Sequence, residues 1–320
     1  MLSIIIPHFH EHPQLLFTLQ GLINELEFNS IPHELILINN ANTPQNDHTE
    51  LDSVKYIEKK QHAGCLSNVK LLEYMDTLSH WQAKNLGVKH ASGELLLFLD
   101  AHIVITPNAI KEMLNYFQWL PEHSLLHLPI VYMLENKENR LKYELVHDLD
   151  KGIVDYRFAK FMPNSRVTEV PCMSTCGMMV AKSTITDIYQ GWPTMLGSYS
   201  GGEHFINFVG ALLGVRKYII DEGIVYHYAA PRSYDIVYND VYRNRAISAF
   251  LFGGVELFHK YLDGLCRLER GKISPRLISN IRLEIPSLSE LQSRREYIMT
   301  NSNTTIEEFI NYWSHNEHTS

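Results

Sequence analysis

The first forty residues use two kinds of apolar spacing. Ser3-Ile-Ile-Ile-Pro7 is a short β-branched run closed by proline, whereas Leu15, Leu16, Leu19, Leu22, Ile23 and Leu26 recur at helical intervals after Gln14. A strand and then a helix are predicted. A second apolar run, Glu34-Leu-Ile-Leu-Ile, ends in Asn39-Asn-Ala-Asn-Thr-Pro44, a polar, turn-rich loop of the kind that leaves a buried parallel strand. Val54 to Ile57 reads as a weaker strand and Leu66 to Val88 as mostly helix. Gly93 then introduces Glu-Leu-Leu-Leu-Phe-Leu99, the most strand-like segment of the chain. A helix over Ala109 to Leu120, a strand over Leu125 to Met133 and a charged stretch through Lys151 follow. Gly197-Ser-Tyr-Ser-Gly-Gly202 is a turn ahead of a helix that begins near Glu203. From Val241 the pattern is helical and less regular, and Thr304-Thr-Ile-Glu307 has the form of a capping box opening the last helix.

Strands alternating with helices imply an α/β fold with a doubly wound, mainly parallel sheet, whose ligand crevice lies outside the carboxyl ends of its strands. Three polar segments occupy such ends: His8 to His12, Asn39 to Asn42, and Asp100 to His102. A chain of 320 residues accommodates one large domain and an appendage, so residues 1–240 are expected to form the α/β domain and 241–320 a helical C-terminal extension.

Composition narrows the class. No apolar run approaches the ~18 residues of a bilayer span, and no transmembrane segment is expected. The amino end lacks a basic region and is interrupted at Pro7 and His8, unlike a secretory leader. Lys and Arg number 28 against 36 Asp and Glu, a net charge of −8 that repels polyanions at long range. Cys65, Cys172, Cys176 and Cys266 are too few and too scattered for a disulfide framework, and reduced thiols point to a cytoplasmic setting.

The strongest chemical feature is Phe98-Leu-Asp-Ala-His102. Side chains two apart on an extended segment point the same way, so Asp100 and His102 face one crevice while Ala101 turns back. A carboxylate with an imidazole suits a divalent metal, Mn2+ over Mg2+, with diphosphate oxygens completing the shell. On spacing alone, a turn-capping Asp100 beside a surface His102 carries equal weight. His8, His10 and His12 alternate and suit a wall of a nucleotide pocket better than a chelating site.

The run Gln82-Ala-Lys-Asn-Leu-Gly-Val-Lys-His-Ala-Ser-Gly-Glu-Leu-Leu-Leu-Phe-Leu-Asp100 resembles the approach to the metal-binding acidic motif of family 2 glycosyltransferases. The Asp-x-His form is closer to that of the polypeptide N-acetylgalactosaminyltransferases. Ser3-Ile-Ile-Ile-Pro7 with Glu11, and Glu34 to Thr43, sit where these families place nucleotide-binding strands, and the resemblance covers roughly residues 1 to 245. It implies a GT-A fold, a nucleotide-sugar donor with a UDP-sugar favoured, and donor contacts from Pro7, His8, Glu11, Asn39, Lys84 and Asp100. Asn39 stands where the family has Asp against the nucleotide base; an amide still hydrogen-bonds a base edge but carries no charge.

A later block, Gly177 to Lys182, Gly201-Gly-Glu-His204 and Val225-Tyr-His227, strengthens the resemblance. It implies Asp100, His102 and His227 as metal ligands and Glu203 at the sugar and acceptor site. The Gly-Gly approach is expected to let the backbone pass close beside a ligand. The alternative for Glu203 is a simple helix-start carboxylate. Inverting relatives place a carboxylate base one residue on; His204 stands there and is a base candidate near neutral pH. Arg232 is placed to reach the leaving diphosphate, or is a solvated loop residue. Tyr226, Tyr228, Tyr234, Tyr238 and Tyr242 read as packing more than as stacking surfaces. Arg267, Arg270, Lys272, Arg276 and Arg282 form a basic stretch in an acidic chain, either a solvated surface or a contact for a phosphate-bearing acceptor.

The expected activity is metal-dependent transfer of a sugar from a nucleotide diphosphate to an acceptor hydroxyl on a glycan, a protein or a modified nucleic-acid base. A nucleotidyltransferase would carry a Gly-rich phosphate loop after the first strand, and Pro7-His-Phe-His-Glu-His12 has no glycine. A catalytically inactive sugar-nucleotide-binding protein is the rival outside enzymes.

Overall fold

The computed structural model describes residues 1–9, 11, 13–40, 48–62, 68–133, 139–228, 237–268 and 273–316. Its strands are β1 (Leu2–His8), β2 (His33–Asn39), β3 (Val69–Glu73), β4 (Leu95–Phe98), β5 (Ile103–Ile105), β6 (Ser124–His127), β7 (Ile130–Tyr132), β8 (Leu141–Asp148), β9 (Ile153–Lys160), β10 (Val167–Glu169), β11 (Met178–Ala181), β12 (Arg216–Ile220) and β13 (Val225–His227). Eight strands form the central sheet in the order β10-β12-β6-β11-β4-β1-β2-β3, and five form a second sheet in the order β5-β13-β7-β8-β9. β3, β2, β1 and β4 are mutually parallel, as are β6 and β12, while β11 runs antiparallel between β4 and β6.

Helices α1 (Gln14–Phe28), α2 (His48–His62) and α3 (His80–His90) make the first three crossovers, and α4 (Ala109–Phe117) follows β5. Both faces of the central strands are therefore covered. Ile4, Ile6, Leu97 and Leu99 pack with Leu15, Leu19 and Ile23 of α1, whereas Ile5, Ile36, Leu96 and Phe98 pack with Trp81 and Val88 of α3. Burial on both faces is why these strands read as apolar runs rather than alternations.

Four expectations are corrected. Val54 to Ile57 is part of α2: its two apolar residues stand three apart, which is helical spacing, and the surrounding Glu, Lys and Gln are helix formers. The strand lies later, at β3, inside the segment expected to be helical; Ser79 ends that extended stretch by accepting the N–H of Gln82 and opening α3. The single strand expected over Leu125 to Met133 divides at Pro129 into β6 in the large sheet and β7 in the small one. Within the charged stretch ending at Lys151 lies β8, which pairs antiparallel with β9 along its whole length.

The carboxyl-terminal segment is helical as expected. A long helix, Tyr238–Leu268, is kinked at Gly254, and Pro275–Glu284, Ser289–Asn301 and Ile306–Asn316 follow it. These helices share one apolar core with the sheet, running from Ile5 to Trp313. The last helix is opened by Thr305 and Glu308, one residue later than expected: Glu308 accepts the Thr305 N–H at 2.9 Å, and the Thr305 hydroxyl accepts the Glu308 N–H at 3.2 Å. No helix among the described residues is long and apolar enough to cross a membrane.

Candidate active site

β4 runs out at Phe98, and the turn beyond it is pinned from below. The buried Thr18 hydroxyl of α1 lies 2.9 and 2.8 Å from the carbonyls of Ala101 and Ile103 and accepts the Ile103 N–H at 3.0 Å. Ala101 is thereby held inward, and Asp100 and His102 reach the cleft on either side of it. β5 starts at once and pairs antiparallel with β13, setting His227 opposite Ile103. The Tyr228 N–H donates to the His102 carbonyl at 2.9 Å and closes that register. In this way two histidines 125 positions apart come together, their Nε2 atoms 3.2 Å from one another.

Asp100, His102 and His227 offer ligand atoms that all lie within 4.8 Å of one another, and His227 Nε2 is 3.6 Å from Asp100 Oδ2. Neighbouring ligands on one ion with bonds of about 2.1 Å stand roughly 3.0–3.4 Å apart, so the imidazole pair already has the separation of a chelating pair. His102 Nδ1 lies 2.6 Å from Glu11 Oε1, the usual arrangement that leaves Nε2 of a histidine as the metal-binding atom. The residues present fit a divalent cation.

Lys84, on α3, is 1% exposed and sits behind the triad rather than in the cleft surface. Its Nζ donates to Thr175 Oγ1 at 2.9 Å, stands 3.9 Å from Asp100 Oδ1 and lies over the Trp81 ring at 5.2 Å. Burial by itself would raise the Asp100 carboxyl; the His227 contact and the charges of Lys84 and His102 hold it well below the usual carboxylate range.

Glu203 lines the cleft at the start of a helical run over 202–212 whose centre, Phe205–Val209, is π-helical. Tyr156 OH donates to its Oε2 at 2.6 Å, while Ser174 Oγ and the Thr175 N–H reach Oε1 at 3.1 and 3.2 Å. The two glycines before it are required by packing. A Cβ on Gly202 would lie 2.3 Å from the Trp81 indole, and one on Gly201, whose φ is +77°, 2.5 Å from Asn244. They let the chain pass between α3 and the long helix.

His204 is buried and absent from the cleft lining: its Nε2 lies 3.0 Å from Asp155 Oδ1, and Asp155 Oδ2 holds Arg245 Nη1 at 3.1 Å. Burial opposes ionisation of Asp155, but His204 and Arg245 lower its carboxyl to about 2. Pro7, His8 and Glu11 line the cleft. Asn39 ends β2, and its Oδ1 is buried with no hydrogen-bond partner among the described residues; Asn40 beside it lines the cleft and accepts the Ser79 N–H at 3.2 Å. His10, His12, Arg232 and Tyr234 lie outside the described residues, as do Arg270 and Lys272 of the basic stretch. Arg282 of that stretch is paired with Asp263.

Tyr226, Tyr228, Tyr238 and Tyr242 do not line the cleft; Tyr132, Tyr143, Tyr156 and Phe158 do. None of these four was singled out from the sequence. The available signal was the apolar–polar alternation Tyr143, Leu145 and then Val154, Tyr156, Phe158, which marks one face of a hairpin. Arg245, from the segment expected to form the helical extension, is also in the lining. Cys172 and Cys176 are buried free thiols, and burial pushes the Cys176 thiol well up.

The fold has solved counterparts. The crystal structure of GalNAc-T7 with UDP, GalNAc and Mn2+ is similar at a TM-score of 0.73 and 14% identity, over 99% of this chain and 57% of that one. Thus the chain spans just over half the length of GalNAc-T7. S. aureus TarS 1–349 is similar at a TM-score of 0.55 and 13% identity, over 100% of this chain and 92% of that one. Its complex with UDP-GlcNAc is similar at 0.57 and 13%, over 94% and 83%. At such identities the likeness establishes the GT-A fold. Residues 3–188, more than half of the chain and inclusive of Asp100 and His102, match the family described as Glycosyl transferase family 2. The chain belongs to glycosyl transferase family 2.

Proposed function

We propose that the chain transfers a sugar from a nucleotide diphosphate donor, with a UDP-sugar favoured, to an acceptor hydroxyl, and that it uses a divalent cation, Mn2+ by preference. The convergence of Asp100, His102 and His227 at the carboxyl end of β4 carries this reading. Support comes from the UDP and Mn2+ in the GalNAc-T7 structure and the UDP-GlcNAc in that of TarS. The cation supplies Lewis-acid assistance to the departing diphosphate.

The chain's own residues divide the remaining work. Asp100, His102 and His227 hold the ion, Glu11 fixes the His102 ring so that Nε2 faces it, and Lys84 holds Asp100 in its charged form. Pro7 and His8 wall the nucleoside, and Asn39, in register with His8 at the end of β2, meets the base edge through its amide. Arg232 meets the diphosphate as it leaves. Glu203, rather than the buried His204, faces the transferred sugar and the acceptor. Residues 1–240 form the catalytic unit, and 241–320 support it with Arg245 reaching into the cleft.

The test is release of UDP from UDP-GalNAc and UDP-GlcNAc with Mn2+, with EDTA, and in His102→Ala and His227→Ala. Turnover that needs Mn2+ and both histidines is expected. Tight Mn2+–UDP binding without turnover of any donor would reduce the chain to an inactive binder.

A further inference from the structure

From the proposed metal centre to Glu203 the cleft wall is a continuous chain of aromatic rings. Tyr132 meets His227 edge to face at 5.1 Å, Phe158 meets Tyr132 at 5.2 Å and 86°, and Tyr143 meets Phe158 at 4.8 Å and 75°. Tyr156 stacks on Tyr143 at 4.6 Å and 7°, and its hydroxyl ends the series on Glu203. Three adjacent strands of the small sheet, β7, β8 and β9, supply these rings from one face. Tyr143 is buried, yet Phe158, in the middle of the series, keeps 45% of its surface exposed although it lines the cleft. Burial pushes the Tyr132, Tyr143 and Tyr156 phenols up, so the wall carries no charge of its own at neutral pH.

Glu203 is defined just as closely. A carboxylate has about four lone-pair directions. Two donors occupy Oε1 and one occupies Oε2, which among the described residues leaves Oε2 able to accept one more hydrogen bond. An exposed aromatic face in the same cleft as an open carboxylate acceptor suits a ring that carries a hydroxyl. The ring gains the contact with the aromatic face, and its hydroxyl gains the hydrogen bond. The open-chain hydroxyl of a serine or threonine side chain gains only the second.

We infer that the acceptor hydroxyl is borne on a ring, which lies on Phe158 while its hydroxyl donates to Glu203. This rests on the glycosyl-transfer reading above. Saccharides and hydroxymethylated pyrimidine nucleosides share that chemistry, and separate probes distinguish them.

Saturation-transfer NMR on the full chain, with and without Mg2+ and UDP, would use three probes: methyl β-glucopyranoside, 5-(hydroxymethyl)-2′-deoxyuridine and a blocked Ala-Thr-Ala peptide. Saturation of the ring protons of at least one ring probe is expected, with none for the peptide; which ring responds names the source. Phe158→Ala should weaken that ring about tenfold, equivalent to 1.4 kcal/mol, while UDP affinity by calorimetry stays unchanged. Phe158→Leu, which keeps apolar bulk without a flat face, should lose as much, and Phe158→Tyr should restore binding. Binding of the peptide instead of the rings, binding of no probe, or undiminished ring binding by Phe158→Leu would overturn the inference. Loss of UDP binding with ring binding intact would count against the donor reading alone.

Discussion

Two carboxylates sit at opposite ends of the parallel part of the central sheet, one buried and one on the cleft wall, and are treated in opposite ways. Glu34, at the amino end of β2, is 0% exposed and saturated: it accepts from Ser3 Oγ, from the Ser92 and Gly93 N–H groups and from the Ser92 hydroxyl, and Lys70 Nζ lies 2.7 Å away. Asp100, just beyond the carboxyl end of β4, has Lys84 Nζ at 3.9 Å, His227 Nε2 at 3.6 Å and two imidazole nitrogens converging beside it. A carboxylate whose lone pairs are all taken by the protein stabilises a fold. One held charged on a cleft wall beside two imidazoles has the features of a functional group and not of a structural one.

The contrast can be broken by exchanging the outcomes of equivalent mutations. Asp100→Asn should lower Mn2+-dependent turnover by about 10²–10³-fold, the scale of losing one preorganised electrostatic contact, with melting temperature nearly unchanged. A large loss of stability without a loss of metal affinity would place Asp100 with Glu34.

Glu34→Gln should do the reverse, costing about 2–4 kcal/mol of stability by leaving donors and Lys70 without a charged partner, while folded molecules keep their turnover. The pH dependence has a definite sign. Burial would raise the Glu34 carboxyl, but Lys70, Ser3 and Ser92 lower it from 4.5 to about 2. Its contribution is therefore complete above pH 4.5 and is lost as pH falls from there towards 2. Denaturant melts of wild type and Glu34→Gln across that window should converge; parallel curves would show that the network does not act through charge.

Glu11→Gln removes the charge that orients His102 and should weaken Mn2+ binding about 10–100-fold, measured by calorimetry, with little effect on stability. Unchanged affinity would mean that the β5–β13 ladder alone sets the ring. The smallest effect is expected for Tyr156→Phe, which deletes one of three donors to Glu203. Turnover should fall about tenfold or less, as for one lost hydrogen bond of 1.4 kcal/mol or below, with donor KM unaffected.

What was readable in the sequence follows burial. β1, β2 and β4 are covered on both faces, so their apolar runs needed no knowledge of a partner; Asp100 and His102 share the cleft as expected, but from the turn beyond β4 that Thr18 pins and not from an extended strand. β3 is an edge strand with Leu71 exposed, and its mixed composition resembled a helix. β8 and β9 take their register from each other, and their polar outward faces hid the aromatic inward one. Glu203 was found through a resemblance, but the packing of its glycines was not, because Trp81 lies 121 positions from Gly202 and Asn244 lies 43 from Gly201, a tertiary fact. His204 was read from local order, whereas its pairing with Asp155 depends on where β9 falls.

The ladder between β5 and β13 bears on how such a chain tolerates insertions and deletions. Thr106 and Ile224 lock its far end, with the Thr106 N–H on the Ile224 carbonyl at 3.1 Å and the Ile224 N–H on the Thr106 hydroxyl at 2.8 Å. His227 is thus positioned by its count from Ile224 and not by its distance from His102. Loops between the two strands are free to lengthen or shorten during descent with the ligand set intact. Removing one residue between Ile224 and His227 would carry the imidazole to the other face of the sheet and abolish the site at a stroke.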